Sequence, residues 1–277
     1  MQFKLNSIIP LFLLALVPSQ APAQDGGSYH PFLTDTLQIS GGAFFPNHSL
    51  ELSADGTVPG EDIDFDETLG VTRTQVSPSF GFRWNISKKW SIWGQWWKAD
   101  LNGSETLTED ITWDGYVFEA GTSASAGVDN NVLRLFIGRE LWSGPQFEFG
   151  VGAGVHWMDI HAFIEGQVRS NQGNLELQRS ESSVSAPLPN IGGWYYYSPS
   201  AKWLLSAEVD WLSASVGDYD GSLWDVSVGV NYQISRHIGL GLAYQWFTLD
   251  VNITDDDWHG NANIKNKGPL LSLTATW

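Results

Sequence analysis

The sequence predicts an all-β chain that closes into an up-and-down antiparallel transmembrane barrel. Three observations carry the prediction: strands whose residues alternate apolar and polar, short turns that alternate with longer connections, and tryptophan or tyrosine at the ends of the apolar stripes. The chain has 277 residues, with 15 Trp, 29 Gly, no Cys, and 16% charged residues. About ten strands are expected, with eight or twelve as the alternatives.

The first 23 residues read as a secretory signal peptide. Lys4 gives a short basic start, Ile8 to Val17 is apolar, and Ala21-Pro22-Ala23 forms an A-x-A cleavage pattern. Residues 24–277 are then one barrel domain, a size that needs no second unit. No stretch reaches the roughly 18 uninterrupted apolar residues of a helical span. The formal net charge of -17 lacks the positive patch that phosphate binding needs, so no nucleic-acid partner is expected.

Ten period-two segments follow, near residues 34–45, 73–84, 89–101, 128–141, 146–160, 186–197, 202–214, 222–234, 236–250 and 267–277. In the fifth, Phe147, Phe149, Val151, Ala153, Val155 and Trp157 form the apolar face, opposed by Glu148, three glycines and His156. The seventh sets Trp203, Leu205, Ala207, Val209 and Trp211 against Ser206, Glu208 and Asp210. The eighth sets Trp224, Val226, Val228, Val230 and Tyr232 against Asp225, Ser227, Gly229, Asn231 and Gln233. In the ninth, Ile238, Leu240, Leu242, Tyr244 and Trp246 oppose Gly239, Gly241, Ala243 and Gln245. The last ends L-L-S-L-T-A-T-W, apolar at every second place up to Trp277. The third has tryptophans on both faces, so its register is left open.

Short connections at 85–88, 142–145, 198–201 and 235–236 alternate with longer ones near 46–72, 102–127, 161–185, 215–221 and 251–266. Both termini then lie on the short-turn side. The stretch Thr106 to Phe118 reads either as a hairpin above the membrane or as extra strands.

The signal peptide, alternating strands, short turns and C-terminal aromatic strand Leu271 to Trp277 resemble those of a Gram-negative outer-membrane β-barrel of the small OmpA or OmpW-like kind. The resemblance covers essentially the whole mature chain and implies residence in the outer membrane. It implies contact with outer-membrane lipid and lipopolysaccharide, and delivery by the barrel-assembly machinery with Trp277 in the place of the assembly signal. Most members end in Phe, so Trp is a departure.

The polar face, taken as inward, puts Arg83, Arg134, Glu140, Glu148, His156, Glu208, Asp210 and Asp225 in the lumen, with Gln233 and Gln245. Groups of both signs are expected to pair across a narrow interior and fill it. His156 lacks a nucleophile elbow or H-E-x-x-H partner, and Gly150-Val151-Gly152-Ala153-Gly154 lacks the helix and acidic residue of a dinucleotide fingerprint. No catalytic, cofactor or metal residues are therefore expected. Inward glycine relieves crowding instead. Glu61-Asp62-Ile63-Asp64-Phe65-Asp66-Glu67 and Asp255-Asp256-Asp257 read as solvated acidic loops rather than calcium sites, able to bridge through divalent cations to lipopolysaccharide phosphates. The expectation is a monomeric barrel that is not an enzyme, with a structural or surface-interaction role. The alternatives are a narrow pore or carrier and, after it, an outer-leaflet lipid-modifying enzyme.

Overall fold

The computed structural model describes residues 29–55, 60–72, 74–169, 174–255 and 258–277. The expected signal peptide and the aspartates at 256 and 257 lie outside them. A four-residue helix, α1 (Pro31–Thr34), precedes fourteen strands. They are β1 (Leu37–Phe44), β2 (Asn47–Leu52), β3 (Ile63–Asp64), β4 (Ser77–Asn85), β5 (Trp90–Thr106), β6 (Ile111–Trp113), β7 (Tyr116–Phe118), β8 (Ser123–Gly144), β9 (Phe147–Arg169), β10 (Leu175–Ser200), β11 (Trp203–Val216), β12 (Tyr219–Gln233), β13 (Ile238–Asp255) and β14 (Trp258–Thr276).

Ten of these are staves, each antiparallel to its neighbours in the order β1-β4-β5-β8-β9-β10-β11-β12-β13-β14, and β1 pairs with β14 to close the ring. The closing seam runs from Gln38 opposite Thr276 to Phe44 opposite Leu270. Trp277 is tied in as well: its carbonyl accepts from the N–H of Thr36 and Leu37, and its own N–H donates to Leu37. Closure pairs the backbone groups that lipid could not satisfy. After Phe45-Pro46, β2 continues the wall beside β14, and β3 pairs with β2.

The ten expected segments are the ten staves, but several staves are far longer than expected. β10 has 26 residues and β9 has 23, against the roughly 9–11 that cross a bilayer. The stretches read as loops at 102–127, 161–185 and 251–266 are mostly strand, and the wall stands tall above the membrane. The remaining hairpin, β6–β7, turns through Asp114 and Gly115, both at positive φ (48° and 76°), the backbone of a two-residue type I′ turn.

One change of phase organises the molecule. In the lower part of β9, Val151 and Trp157 point outward while Glu148 and His156 are buried; from Met158 upward, Met158, Ile160, Ala162 and Ile164 are the buried ones, and Asp159, His161 and Glu165 look outward. β13 does the same: Leu240, Leu242, Tyr244 and Trp246 are exposed below, whereas Phe247, Leu249, Val251 and Ile253 are buried above. β8 switches between exposed Leu133 and buried Val132. The period stays two throughout. Below the switch the apolar face meets lipid; above it the apolar face fills the barrel, as in a water-soluble protein.

The upper interior is therefore a packed hydrophobic core. Phe44, Trp97 and Phe247 form its floor through edge-to-face contacts of 5.7 and 5.8 Å between ring centroids. Ile63, Phe65, Leu69 and Val71 drop into its top, where Phe65 meets Trp113 at 5.5 Å and Trp113 meets Trp258 at 5.9 Å. The acidic stretch 61–67 is thus half lid. Its carboxylates alternate with the residues that plug the mouth, and the Asp64 carboxylate accepts the amide N–H of Asp66 and of Glu67, each at 3.1 Å.

Candidate functional site

Below the core lies a polar layer in two tiers, built from staves distant in sequence, with Glu148 near the start of β9 and His156 eight residues further up it. Arg83 on β4 donates through Nη2 to both oxygens of Glu148 on β9 (2.5 and 2.8 Å), and Glu148 also accepts from Trp194 Nε1 on β10 at 2.7 Å. Arg134 on β8 makes a two-pronged pair with Asp210 on β11: Nε meets Oδ2, and Nη2 reaches Oδ1 at 3.1 Å. Such forked pairs are the strong form of the contact. Glu208 lies 4.0 Å from Arg134 Nη1 and accepts from the Tyr196 hydroxyl at 2.7 Å.

His156 is fully buried. Its Nε2 is 3.4 Å from Asp225 and 3.9 Å from Asp210, while Nδ1 faces the Asn190 side-chain oxygen at 3.3 Å. Asp225 is held in addition by Gln245 Nε2, at 2.9 and 3.1 Å from its two oxygens.

Of the residues expected in the lumen, Arg83 and Glu148 are buried in the lower tier and Arg134, His156, Asp210 and Asp225 in the upper one, with Gln233 and Gln245 also buried. Glu208 is partly open, its side chain one-third exposed. Glu140 is not brought into the network. It sits at the lower rim, beside the register shift between Glu140 and Trp142, and accepts from Ser143 Oγ at 2.5 Å.

Aromatic residues stand between the two tiers, the Trp93 ring lying 5.5 Å from the Arg83 guanidinium and 5.8 Å from that of Arg134. Trp93 stacks on Phe136 (5.1 Å between centroids, planes 2° apart) and meets Trp194 edge-on at 4.3 Å, which settles the open register of β5: Trp93 and Trp97 face in. Phe32, Trp93 and Tyr196 surround the Arg83 guanidinium at 4.8, 5.5 and 5.2 Å, a cation–π cage. The glycines make the room. A Cβ on Gly138 or Gly150 would strike the Trp194 ring, and one on Gly152 or Gly154 would strike Phe136.

Phe32 comes from α1, an element the sequence reading missed. The helix inserts into the lower mouth: Phe32 packs edge-on against Tyr196 at 4.6 Å, and Leu33 joins it against the lower aromatic cluster. His30 caps the helix by accepting from the Phe32 N–H at 3.2 Å, and Asp35 is gripped by both nitrogens of Arg236, at 2.7 and 2.8 Å. Burial pushes the His30 pKa down to about 4, outweighing the nearby Asn231 side chain and the charge of Asp35. For Asp35, burial raises the carboxyl pKa but the bond to Arg236 and the hydroxyl donors prevail, leaving it below the ordinary value. His30 is not a Ser/Thr/Asp-type cap, so Pro31 at the first helical position was the signal that could have found the helix.

Between the polar layer, α1 and the wall of β1, β4, β13 and β14 lies a chamber of about 190 Å³. Small residues line one side, among them Ser40, Gly42, Ser79, Ala243 and Ser272; Arg83, Arg134, Glu208, Asp210 and Asp225 line the other.

No protein-family model matches the sequence, and no curated protein matches it. Solved structures do. The chain is similar to the outer membrane protease OmpT from Escherichia coli, with a TM-score of 0.59 and 13% identity over 90% of this chain and 98% of that one. Also matched are the translocator domain of the autotransporter NalP from Neisseria meningitidis (TM-score 0.45, 9% identity, 87% and 89% covered) and the P. putida toluene transporter TodX (0.38, 9%, 89% and 91%). The likeness to OmpT establishes the fold, a closed antiparallel β-barrel of the kind that outer-membrane proteins have. It also corrects the expectation that the chain is not an enzyme: OmpT is a protease on this architecture, so a barrel of tall staves gives no ground for excluding catalysis.

Proposed function

We propose that the protein is a non-conducting barrel that holds a rigid extension above the outer membrane as a surface for contact with the cell's surroundings. The observation that carries this reading is the filled lumen. An ion path would have to cross the Phe44–Trp97–Phe247 layer and the apolar core above it, whose side chains are nearly all buried. Dewetted constrictions of this kind block ions. In support of a contact role, the outermost hairpins carry apolar side chains in water: Val117 on β7, and Leu175 and Leu177 on β10, the last of them 72% exposed. Isolated exposed apolar residues are ordinary, but a group at the tip of a protruding wall is a contact surface.

Within this proposal the lipid belt and the row above it (Lys98, Asp100, Asp129, Asp159 and His161) face outer-membrane lipid and lipopolysaccharide. Trp277 serves the assembly machinery, and the barrel acts as a monomer. Planar-bilayer recording of the refolded protein tests the central claim. A silent bilayer is expected for both the native chain and Asp210→Asn. Discrete steps whose ion selectivity shifts in Asp210→Asn would replace this reading with a narrow pore. Replacing Leu175 and Leu177 with Ser is expected to lower adhesion of cells that display the barrel, without changing its heat-modifiable migration.

A further inference from the structure

The upper part of β10 has an unpaired edge. β10 pairs with β9 from Leu175, opposite Arg169, to Tyr197, opposite Phe147, but with β11 only from Ile191, opposite Trp211, downward. Above Ile191, no strand among the described residues pairs with the other side of β10. Parity tells which backbone groups are left open. The Ser198 N–H donates to the Gln146 carbonyl just before β9, so even-numbered residues of β10 face β9 and odd-numbered ones face away. Pro187 and Pro189, which have no N–H to lose, belong to the odd set. They guard the lower part of the edge. From Leu177 to Ser185 neither a proline, a lysine nor a register shift guards it, and of the carbonyls on that side the one of Arg179 is served within the chain, by Gln178 Nε2 at 2.9 Å. The chain treats its other tall edge differently. β5 outgrows β4 above Trp97, and there Thr72 donates through N and Oγ1 to the Asn102 carbonyl while Gln75 Oε1 accepts from the Asp100 N–H. The core also opens beside β10. Its inward side chains Val184, Ala186 and Leu188 are 8, 6 and 8% exposed, whereas most of the core lies at 3% or below.

We propose that this edge takes an extended, basic peptide segment of a partner protein as an added strand, with apolar residues at alternate positions. The inference deepens the contact reading above and rests on it for the openness of the tip. A row of unpaired N–H and C=O groups with a two-residue repeat is matched by another extended backbone, and ladder hydrogen bonds to Glu181, Ser183 and Ser185 supply the affinity. The apolar side chains of the peptide cover Val184 and Ala186. Its outward side chains meet carboxylates: Glu181 on β10, Glu165 and Asp159 on β9, and Asp218 and Asp220 at the β11–β12 turn. Arg179, the cation on this strand, is already engaged by Glu181 and Glu165, at 2.5 and 3.4 Å. A basic segment is therefore the complementary one, and a second copy of this chain would set the same carboxylates against each other.

Fluorescence anisotropy of a labelled peptide of alternating Lys and Val, titrated with the full mature protein folded in a non-ionic detergent, tests the assignment. Saturable binding is expected, weakened about tenfold or more when the backbone amides of the peptide are N-methylated or when its Lys residues are replaced by Glu. Ser183→Pro, which continues the proline series along the open side without touching the β9 ladder, should abolish binding, with heat-modifiable migration confirming the fold. Hydrogen exchange gives a second readout: the Ser183 and Ser185 amides should exchange freely in the unliganded protein and slow about tenfold or more with peptide bound, while those of Ser182 and Val184 are protected throughout. Absence of saturable binding, equal affinity for the N-methylated or the Glu peptide, or undiminished binding to Ser183→Pro overturns the proposal. The contact reading fails separately, through adhesion that survives the replacement of Leu175 and Leu177. Adhesion lost in that variant, with no peptide bound by the native chain, would leave a contact surface that is not this edge.

Discussion

Removing one partner of the Arg134–Asp210 pair leaves a guanidinium in the lumen without its main counter-ion. Both side chains are under a tenth exposed, so the loss is set by the desolvated charge left behind and not by the modest net worth of the bond. Asp210→Asn is expected to cost about 3–5 kcal/mol, read as a lower midpoint for loss of the compact band when samples are heated before electrophoresis. A variant with apolar residues of similar size at both positions should recover most of that. Gly192 offers a second test. A Cβ there would meet the Asp210 carboxylate and the Val209 carbonyl, so Gly192→Ala must displace the carboxylate that Arg134 holds. About 1–3 kcal/mol is expected for such overpacking, while Gly217→Ala, with nothing within 4 Å of the added Cβ but a φ of +61°, pays only the backbone strain and leaves the polar layer intact.

At the scale of elements, α1 carries a pH response. His30 in the docked helix holds its proton only below about pH 4, against an ordinary value of 6.5. The released segment therefore binds more protons across that interval, and docking weakens as pH falls from 6.5 to 4. Asp35 acts in the same sense further down: its lowered pKa means the Arg236 grip is lost as its carboxylate is protonated. A spin label at Thr34→Cys, in a chain with no native cysteine, should become more mobile over that range. His30→Gln should flatten the transition, and an unchanged profile in that variant would remove His30 as its cause. Neither α1 nor its role was legible in the sequence, because four residues around a proline carry no period. The staves were legible wherever apolar residues faced lipid, and the inward parity of Arg83, Arg134, Glu148, His156, Asp210 and Asp225 followed directly. Their pairings did not. Arg83 and Glu148 are 65 residues apart, Arg134 and Asp210 76, and only closure of the ring decides which inward groups meet. Trp93 and Trp96 show the other limit: both are tryptophan, and only their neighbours tell them apart, Trp93 packing inside against Phe136 and Trp194 while Trp96 stacks on Phe80.

For the whole molecule, the phase switch along the staves explains why their upper halves read as loops. Above Trp157 the apolar residues occupy the other set of alternate positions, Met158, Ile160, Ala162 and Ile164. A strand read by its lipid-facing stripe therefore ends at the girdle, although the backbone runs on with unbroken pairing to Arg169. The same switch locates the bilayer without any reference to lipid. Its outer boundary follows Trp96, Trp157, Trp211, Trp224 and Trp246, and the belt below it on β9, from Phe147 to Trp157, has the length a crossing strand needs. The two sides of that line should then respond oppositely to a charge on the outer face. Ile137, 46% exposed and near the middle of the belt on β8, faces hydrocarbon, so Ile137→Arg is expected to cost about 2–4 kcal/mol, as midplane arginines do. Ser183 on β10 stands opposite His161, above the line, and is exposed; Ser183→Arg meets water and polar neighbours and should change stability by no more than about 0.5 kcal/mol. Folding into vesicles of increasing hydrocarbon thickness sharpens the comparison. The penalty at Ile137 should persist in every bilayer, whereas one at Ser183 should emerge only when the bilayer is thick enough to cover that row. A penalty at Ser183 in thin bilayers would place the outer boundary above the switch and sever the link between phase and membrane.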